Sequence, residues 1–263
     1  MKATLNGVRI HFEREGSGMP VIFLHEGIAD SRMWEPQVHP FAQHFDVIRP
    51  DIRGYGQSAL PAGEWSPVDD LLALVDELGL KPAHLVGASM GGGIAIDFAL
   101  AHAERVSKLV LVGSSIGGAN FGEKYPELFN DIRAADEARD WEALNRAEMR
   151  LFLDGPRRPE GYVSNQGWRE LFLDMNGKNV NVDWERSPAK DLEPPAVGRL
   201  HEIGAPVLVL IGDEDVPPVM DGAELLMKSV PHARKAVIHD AAHMPNLEHP
   251  DEFNRLVLDF LLE

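Results

Sequence analysis

Short, nearly continuous apolar runs constrain this chain more than any other feature. "PVIFLH" (Pro20–His25), "FDVIRPD" (Phe45–Asp51), "AHLVGAS" (Ala83–Ser89), "SKLVLVGSS" (Ser107–Ser115), "PVLVLIGDED" (Pro206–Asp215) and "ARKAVIHD" (Ala233–Asp240) all have strand length. A strand with one wet face alternates apolar and polar residues, whereas a run apolar throughout must be covered on both faces. Helical patterns separate the runs. "SPVDDLLALVDELGL" (Ser66–Leu80) opens with a capping serine, a first-turn proline and acids, and reaches Gly79 near its end; "DEFNRLVLDFLLE" (Asp251–Glu263) closes the chain as an amphipathic helix. Strands alternating with helices predict an α/β fold, a mostly parallel sheet with helices on both faces. At the start, "KATL", the turn pair Asn6–Gly7 and the alternating "VRIHFERE" predict an antiparallel hairpin, which makes the sheet eight-stranded.

One segment breaks the alternation. Residues 117–200 hold no convincing strand and are rich in charge, Trp, Met, Phe and Leu; Trp168, Leu171, Phe172 and Met175 fall at helical spacing. The expectation is a helical insertion, a cap over the sheet, with the core formed by residues 1–116 and 201–263.

The 263 residues suffice for one large domain with a full core. A net charge of −17 argues against nucleic acid and anionic membrane surfaces, both of which need clustered Lys and Arg. With no cysteine, disulfides, thiolate catalysis and Cys-type zinc sites are excluded. The first residues lack the apolar core of a signal peptide, and no apolar run is long enough to span a bilayer. The expectation is a cytoplasmic protein, monomer or homodimer, acting on a small molecule without metal or cofactor.

Ser89 sits where a buried strand gives way to a helix, inside "GASMG" (Gly87–Gly91). A sharp strand-to-helix turn lifts such a serine above the carboxyl edge of the sheet, where open α/β folds bind ligands. The turn crowds the backbone, so the residues two before and two after must be small; this is the G-x-S-x-G elbow of a nucleophile. A phosphate loop would need Gly-Lys-Ser/Thr, and a dinucleotide fingerprint would need glycine where Ser89 stands. A glycine-rich turn used only for packing is the remaining alternative.

At this point the chain resembles the α/β-hydrolase family, over nearly its whole length. "DIRGYGQS" (Asp51–Ser58) is similar to the family's loop after its fourth strand, and the insertion falls where the family carries its cap. The resemblance implies a serine nucleophile followed along the chain by an acid and then a histidine. Of the 11 histidines, His243 in "IHDAAHMPNLEHP" stands in the loop after the last apolar strand, where the family carries its base, with Ala242 in place of the usual glycine. His239, His249, His102, His201 and His232 read as surface or structural. In "LIGDEDVPP", family spacing counted from Gly212 selects Asp215, with Asp213 in reserve. A metal pair at His239 and His243 would need a helix and a third ligand.

Two backbone N–H groups should stabilise the oxyanion of acyl transfer. By resemblance they belong to Met90 and Gly27. The family usually reads His-Gly-x at the second site, whereas this chain reads His25-Glu26-Gly27-Ile28. Glu26 is the clearest departure. The bland expectation is that it turns away and pairs with a basic group such as Arg32 or Arg53; the sharper one is that it repels anionic substrates or positions water. His25 is expected to hold the loop.

Ile28, Trp34, Phe152, Trp168 and Phe172, with Glu26, are candidate pocket residues, as are Met149, Leu151 and Met175, although apolar cap residues also serve simply to pack. Such walls suit an uncharged ester or lactone. The leading expectation is therefore a serine esterase or lactonase. The alternatives on the same triad are a carbon–carbon bond hydrolase or a cofactor-free perhydrolase, and, outside catalysis, a small-molecule receptor. A carbon–carbon hydrolase acting on an acidic dienoate calls for polar or cationic pocket groups. Aspartate-nucleophile dehalogenases and epoxide hydrolases are excluded by the serine in the elbow.

Overall fold

A computed structural model describes residues 1–263, apart from the side chains of residues 123 and 126. The sheet comprises β1 (Lys2–Leu5), β2 (Val8–Gly16), β3 (Met19–Leu24), β4 (Phe45–Pro50), β5 (Ala83–Ala88), β6 (Val106–Val112), β7 (Val207–Gly212) and β8 (Arg234–Ile238). Its order is β1-β2-β4-β3-β5-β6-β7-β8. β2 runs antiparallel to β1 and β4, and the other pairs are parallel. This is the α/β architecture the apolar runs demand, and each expected strand is present within a few residues of its expected ends. The hairpin turns on Asn6 and Gly7, both at positive φ (49° and 77°) as a type I′ turn requires.

Successive side chains of the inner strands feed two different cores. Ile22 and Leu24, Leu85, Leu109 and Leu111, and Val207, Val209 and Ile211 join one cluster. Val21 and Phe23, Val86, Val110 and Val112, and Leu208 and Leu210 join the other. Two-residue periodicity thus persists, hidden in the sequence because both faces are apolar. The first cluster receives α2 (Pro67–Glu77), α3 (Met90–Ala101) and α7 (Pro217–Ser229). The second receives α1 (Glu35–Ala42) and the closing helix, α9 (Pro250–Leu262), which follows the short α8 (Pro245–Glu248). α2 begins as expected: the Ser66 side chain accepts from the Asp69 N–H, and Pro67 occupies the first turn.

Between β6 and β7, residues 117–200 form α4 (Asn130–Glu137), α5 (Trp141–Glu148), a π-helical turn over Met149–Asp154, and α6 (Gln166–Asn179), with short 3₁₀ turns and one isolated bridge, Trp65 to Ala189. Met149, Leu153, Phe172 and Met175 join the second core cluster, so this segment packs into the body of the protein. Among the described residues no helix is long and apolar enough to cross a membrane.

Candidate active site

Ser89 follows β5 and precedes α3 with φ 48° and ψ −114°, a conformation that an L-residue rarely adopts. Its backbone is held on every side: its N–H donates to Val112 O (2.9 Å), and its carbonyl accepts from Gly93 N (3.1 Å), Ser115 N (3.0 Å) and Ser115 Oγ (3.1 Å). The flanking glycines explain themselves by distance. A Cβ on Gly87 would lie 2.4 Å from Gly91 O, and one on Gly91 would lie 2.3 Å from Leu24 O and 2.6 Å from His25 O. The obstacles are backbone atoms of α3, of β3 and of the loop after β3, which cannot swing aside.

His243 lies in the loop after β8 and Asp215 just past β7. Both are buried, and His243 Nδ1 meets Asp215 Oδ1 at 3.0 Å and Oδ2 at 2.9 Å. With Nδ1–H donated to the acid, Nε2 is left free to take a proton. The loop is held from three sides. His243 N–H donates to Phe152 O (3.1 Å), the Phe152 ring lies against the imidazole at a tilt of 41° with centroids 5.2 Å apart, and Ala242 N–H donates to Glu248 Oε1 (2.7 Å). Asp215 and His243 close on the end of β6, where a Cβ on Gly113 would lie 3.2 Å from both. The alternative acid, Asp213, is engaged elsewhere: Oδ2 meets His239 Nδ1 (2.7 Å) and Oδ1 accepts from Asp240 N (2.7 Å). His239, itself exposed, is thereby turned to the half-buried Asp213, and among the described residues no three His, Asp or Glu side chains gather as a metal would require.

Ser89 and His243 line one cavity of about 280 Å³, together with Gly113, Ser114, Ser115, Ile116, Ala119, Phe121, Gly122, Phe129, Phe152, Val216, Pro218 and Val219. No lysine or arginine is among them. Of the side chains expected to line a pocket, Phe152 does so. Trp34 does not: it is fully buried against Phe23 and Phe253, because the turn at Ser31–Trp34 directs it into the second core. Phe172 is likewise fully buried in that core, while Trp168 and Ile28 are half-buried against it. Helical periodicity identified an apolar face on α6 but could not say which neighbour would cover it. Phe121 and Phe129, which do line the cavity, lie in irregular 3₁₀ structure where no periodicity marks them.

The loop after β3 lies beside the elbow. A Cβ on Gly27 would lie 3.8 Å from Met90 Sδ and 3.7 Å from the Tyr55 hydroxyl, so the two residues expected to supply N–H donors are neighbours. Tyr55, from "DIRGYGQS", bonds Met90 Sδ (3.5 Å), and burial raises its phenol above the usual range; its place in this loop carried no sequence signal of a site. His25 holds the loop: its ring bonds Glu26 O through Nδ1 (2.7 Å), and Nε2 accepts from Ile52 N (2.9 Å). Burial lowers its proton affinity, consistent with a neutral ring accepting at Nε2.

Glu26 corrects the bland expectation. It does not pair with Arg32, which binds Asp30 and Asp174, or with Arg53, which binds Asp70. It is fully buried, and neither carboxylate oxygen has a hydrogen-bond partner. Nor does its backbone bend the loop into the left-handed region. Burial pushes its carboxyl up to about 7, with His243 opposing and Asp215 and Glu248 adding to the rise. For His243, burial works against the imidazolium, but the charges of Asp215 and Glu26, the Asp215 hydrogen bond and Glu248 outweigh it and push the imidazole up to about 9.

Sheet and elbow together define a hydrolase of the α/β class. A family model for the alpha/beta hydrolase fold matches residues 20–250, and the chain belongs to that family. The chain is 31% identical over 269 aligned residues to the 2-hydroxy-6-oxo-6-phenylhexa-2,4-dienoate hydrolase of Burkholderia cepacia, covering 98% of this chain and 92% of that protein. Among solved structures, the enol-lactonase of Burkholderia xenovorans superposes with TM-score 0.81 and 25% identity, with all of each chain covered. A thermophilic esterase from Thermogutta terrifontis does so with TM-score 0.78 and 26% identity, covering 99% of this chain and 97% of that one.

Proposed function

We propose that this chain is a serine hydrolase that cleaves an uncharged ester or lactone through Ser89, His243 and Asp215. The observation that carries the substrate class is the cavity around Ser89 and His243, apolar on most sides and without a lysine or arginine. A carboxylated substrate would give up hydration there with no lysine or arginine in return.

In this reading Ser89 Oγ attacks the carbonyl carbon as His243 Nε2 takes its proton. The carbonyl oxygen becomes an oxyanion facing the Gly27 and Met90 N–H groups. Collapse breaks the C–O bond, and His243 returns its proton to the leaving alkoxide oxygen. Water then attacks the acyl-enzyme by the same route, freeing Ser89 and the acid. A positioned base contributes about 10²–10⁴-fold, and one oxyanion donor about 3–4 kcal/mol. Residues 117–200 act as the cap, a role supported by Phe121, Phe129 and Phe152 in the cavity wall.

A second reading, carbon–carbon bond cleavage, is favoured by the curated dienoate hydrolase, which covers the chain almost end to end. One assay separates the two. Wild type and Ser89→Ala are tested for labelling by a fluorophosphonate and for turnover of p-nitrophenyl esters, lactones and a 2-hydroxy-6-oxo-dienoate. Labelling at Ser89 with turnover of neutral esters or lactones supports the first reading. Turnover confined to the dienoate replaces it with the second. No labelling alongside tight small-molecule binding would make the protein a receptor.

A further inference from the structure

We propose that Glu26, a fully buried carboxylate without a hydrogen-bond partner in the loop beside the elbow, is a positioning residue for proton transfer: with Asp215 it is a second acid acting on the His243 imidazole, and it thereby sets the pH at which the site works. The proposal rests on the serine-hydrolase reading only in assigning His243 the role of base.

The geometry begins with the backbone. The Glu26 carbonyl accepts from the His25 ring (2.7 Å) and from Ala29 N–H (3.2 Å), so the residue is pinned between β3 and the turn that follows. Its side chain is fully enclosed and has no hydrogen-bond partner. Among the described residues no arginine acts on it: Arg32, Arg53 and Arg158 pair with Asp30 and Asp174, with Asp70 and with Glu248, respectively. Its neighbour Gly27 lies beside Met90 of the elbow, and the charges that act on the buried carboxylate are those of Asp215, His243 and Glu248, from the loops after β7 and β8 and from α8. Glu248 is itself satisfied by Arg158 Nη2 (2.8 Å) and Ala242 N–H (2.7 Å). One cation therefore remains in that set for Glu26, the imidazolium of His243.

An unpaired buried carboxylate is costly, and a buried cation with two acids costs less than two acids facing a neutral ring. Glu26 and His243 thus hold one proton between them and titrate as a pair. The direction for His243, up to about 9, agrees. Because a general base must be neutral to accept the serine proton, the pair delays activity until pH rises toward that range. A glycine at this position, usual in the resembling family, would leave His243 with Asp215 and the arginine-paired Glu248.

The test follows the imidazole directly. His243 is titrated by NMR in wild type and Glu26→Gln, its resonance assigned by its loss in His243→Gln, and pH profiles of kcat/KM on a neutral p-nitrophenyl ester are recorded for the same proteins. The expected result is that the His243 titration moves down by about one pH unit or more, matched by the acid limb of the profile. At a pH below the wild-type limb, each pH unit by which the titration falls gives Glu26→Gln a gain of about tenfold in kcat/KM. Should Glu26→Gln not fold, Glu26→Gly replaces it with the same expectation. A His243 titration that stays put in the folded variant overturns the proposal, whatever the activity. A displaced titration in a protein that neither labels at Ser89 nor turns over substrate would instead remove the hydrolase reading and leave the Glu26–His243 coupling intact.

Discussion

Replacing Ser89 by glycine should remove activity and raise stability. At φ 48° and ψ −114° a side chain is strained by about 1–3 kcal/mol, whereas glycine adopts such backbones freely. The strain survives because four hydrogen bonds to the Ser89 backbone, from β6, α3 and Ser115, fix it whatever side chain is present. Against this release, glycine enlarges the unfolded ensemble by about 0.4–1 kcal/mol relative to alanine. The net gain is about 0.5–2 kcal/mol. For 263 residues, an unfolding entropy of about 2.1 cal/mol/K per residue gives roughly 0.55 kcal/mol/K. The melting temperature should rise by about 1–4 °C. Ser89→Ala is the control, since it removes the hydroxyl but retains the Cβ and its strain. Calorimetry on wild type and both variants decides the matter. A Ser89→Gly protein that melts at or below Ser89→Ala refutes the reasoning, because the two differ only in the Cβ that the elbow is argued to crowd.

Other expectations follow from the same geometry. Asp215→Asn keeps the loop in place but offers His243 an amide instead of a charge, and kcat should fall by about 10³–10⁴-fold with little change in melting temperature. Wild-type kcat/KM should climb from neutral pH toward about pH 9, because His243 is raised above its ordinary range and accepts a proton only once neutral; a plateau already reached near pH 7 would contradict the charges around it. Phe152→Ala should enlarge the cavity and shift preference toward longer acyl groups, measured as kcat/KM across a chain-length series. Arg158→Met strands Glu248, whose side chain is 4% exposed, and should cost about 3–5 kcal/mol in chemical denaturation.

The fold was legible because its signal is cumulative. Every inner strand had to be apolar on both faces, and a run such as "VLVLIG" admits few other uses. The elbow was legible for a similar reason: Gly87 and Gly91 answer contacts with backbone, and backbone geometry recurs wherever that turn is made. The reserve acid shows where legibility thins. Asp213 and Asp215 lie two residues apart past one strand, and only the fold shows that the first turns to His239 and the second to His243. The pocket was less legible still. Trp34 and Phe172 are large, apolar and close in sequence to the elements that form the site, yet each is directed into the second core by the packing of elements far away in sequence. Apolar character tells that a residue is covered, not by what.

Glu26 marks the sharper limit. Its position in the loop after β3 made a family departure visible, but the same letter fitted a surface ion pair and a buried unpaired acid. The choice is made by the partners of other residues. Arg32 is drawn off by Asp30 and Asp174, and Arg53 by Asp70, each through charge-assisted bonds of 2.6–2.9 Å. Once those cations are committed, the carboxylate has no way out to solvent and one imidazole to face. A chain of −17 net charge thus carries a local excess of acid into the interior at the point where its proposed base sits. If the base must shed a proton held by that excess, the pH at which the protein works is set by residue 26 as much as by the triad, and changing that residue alone should move it.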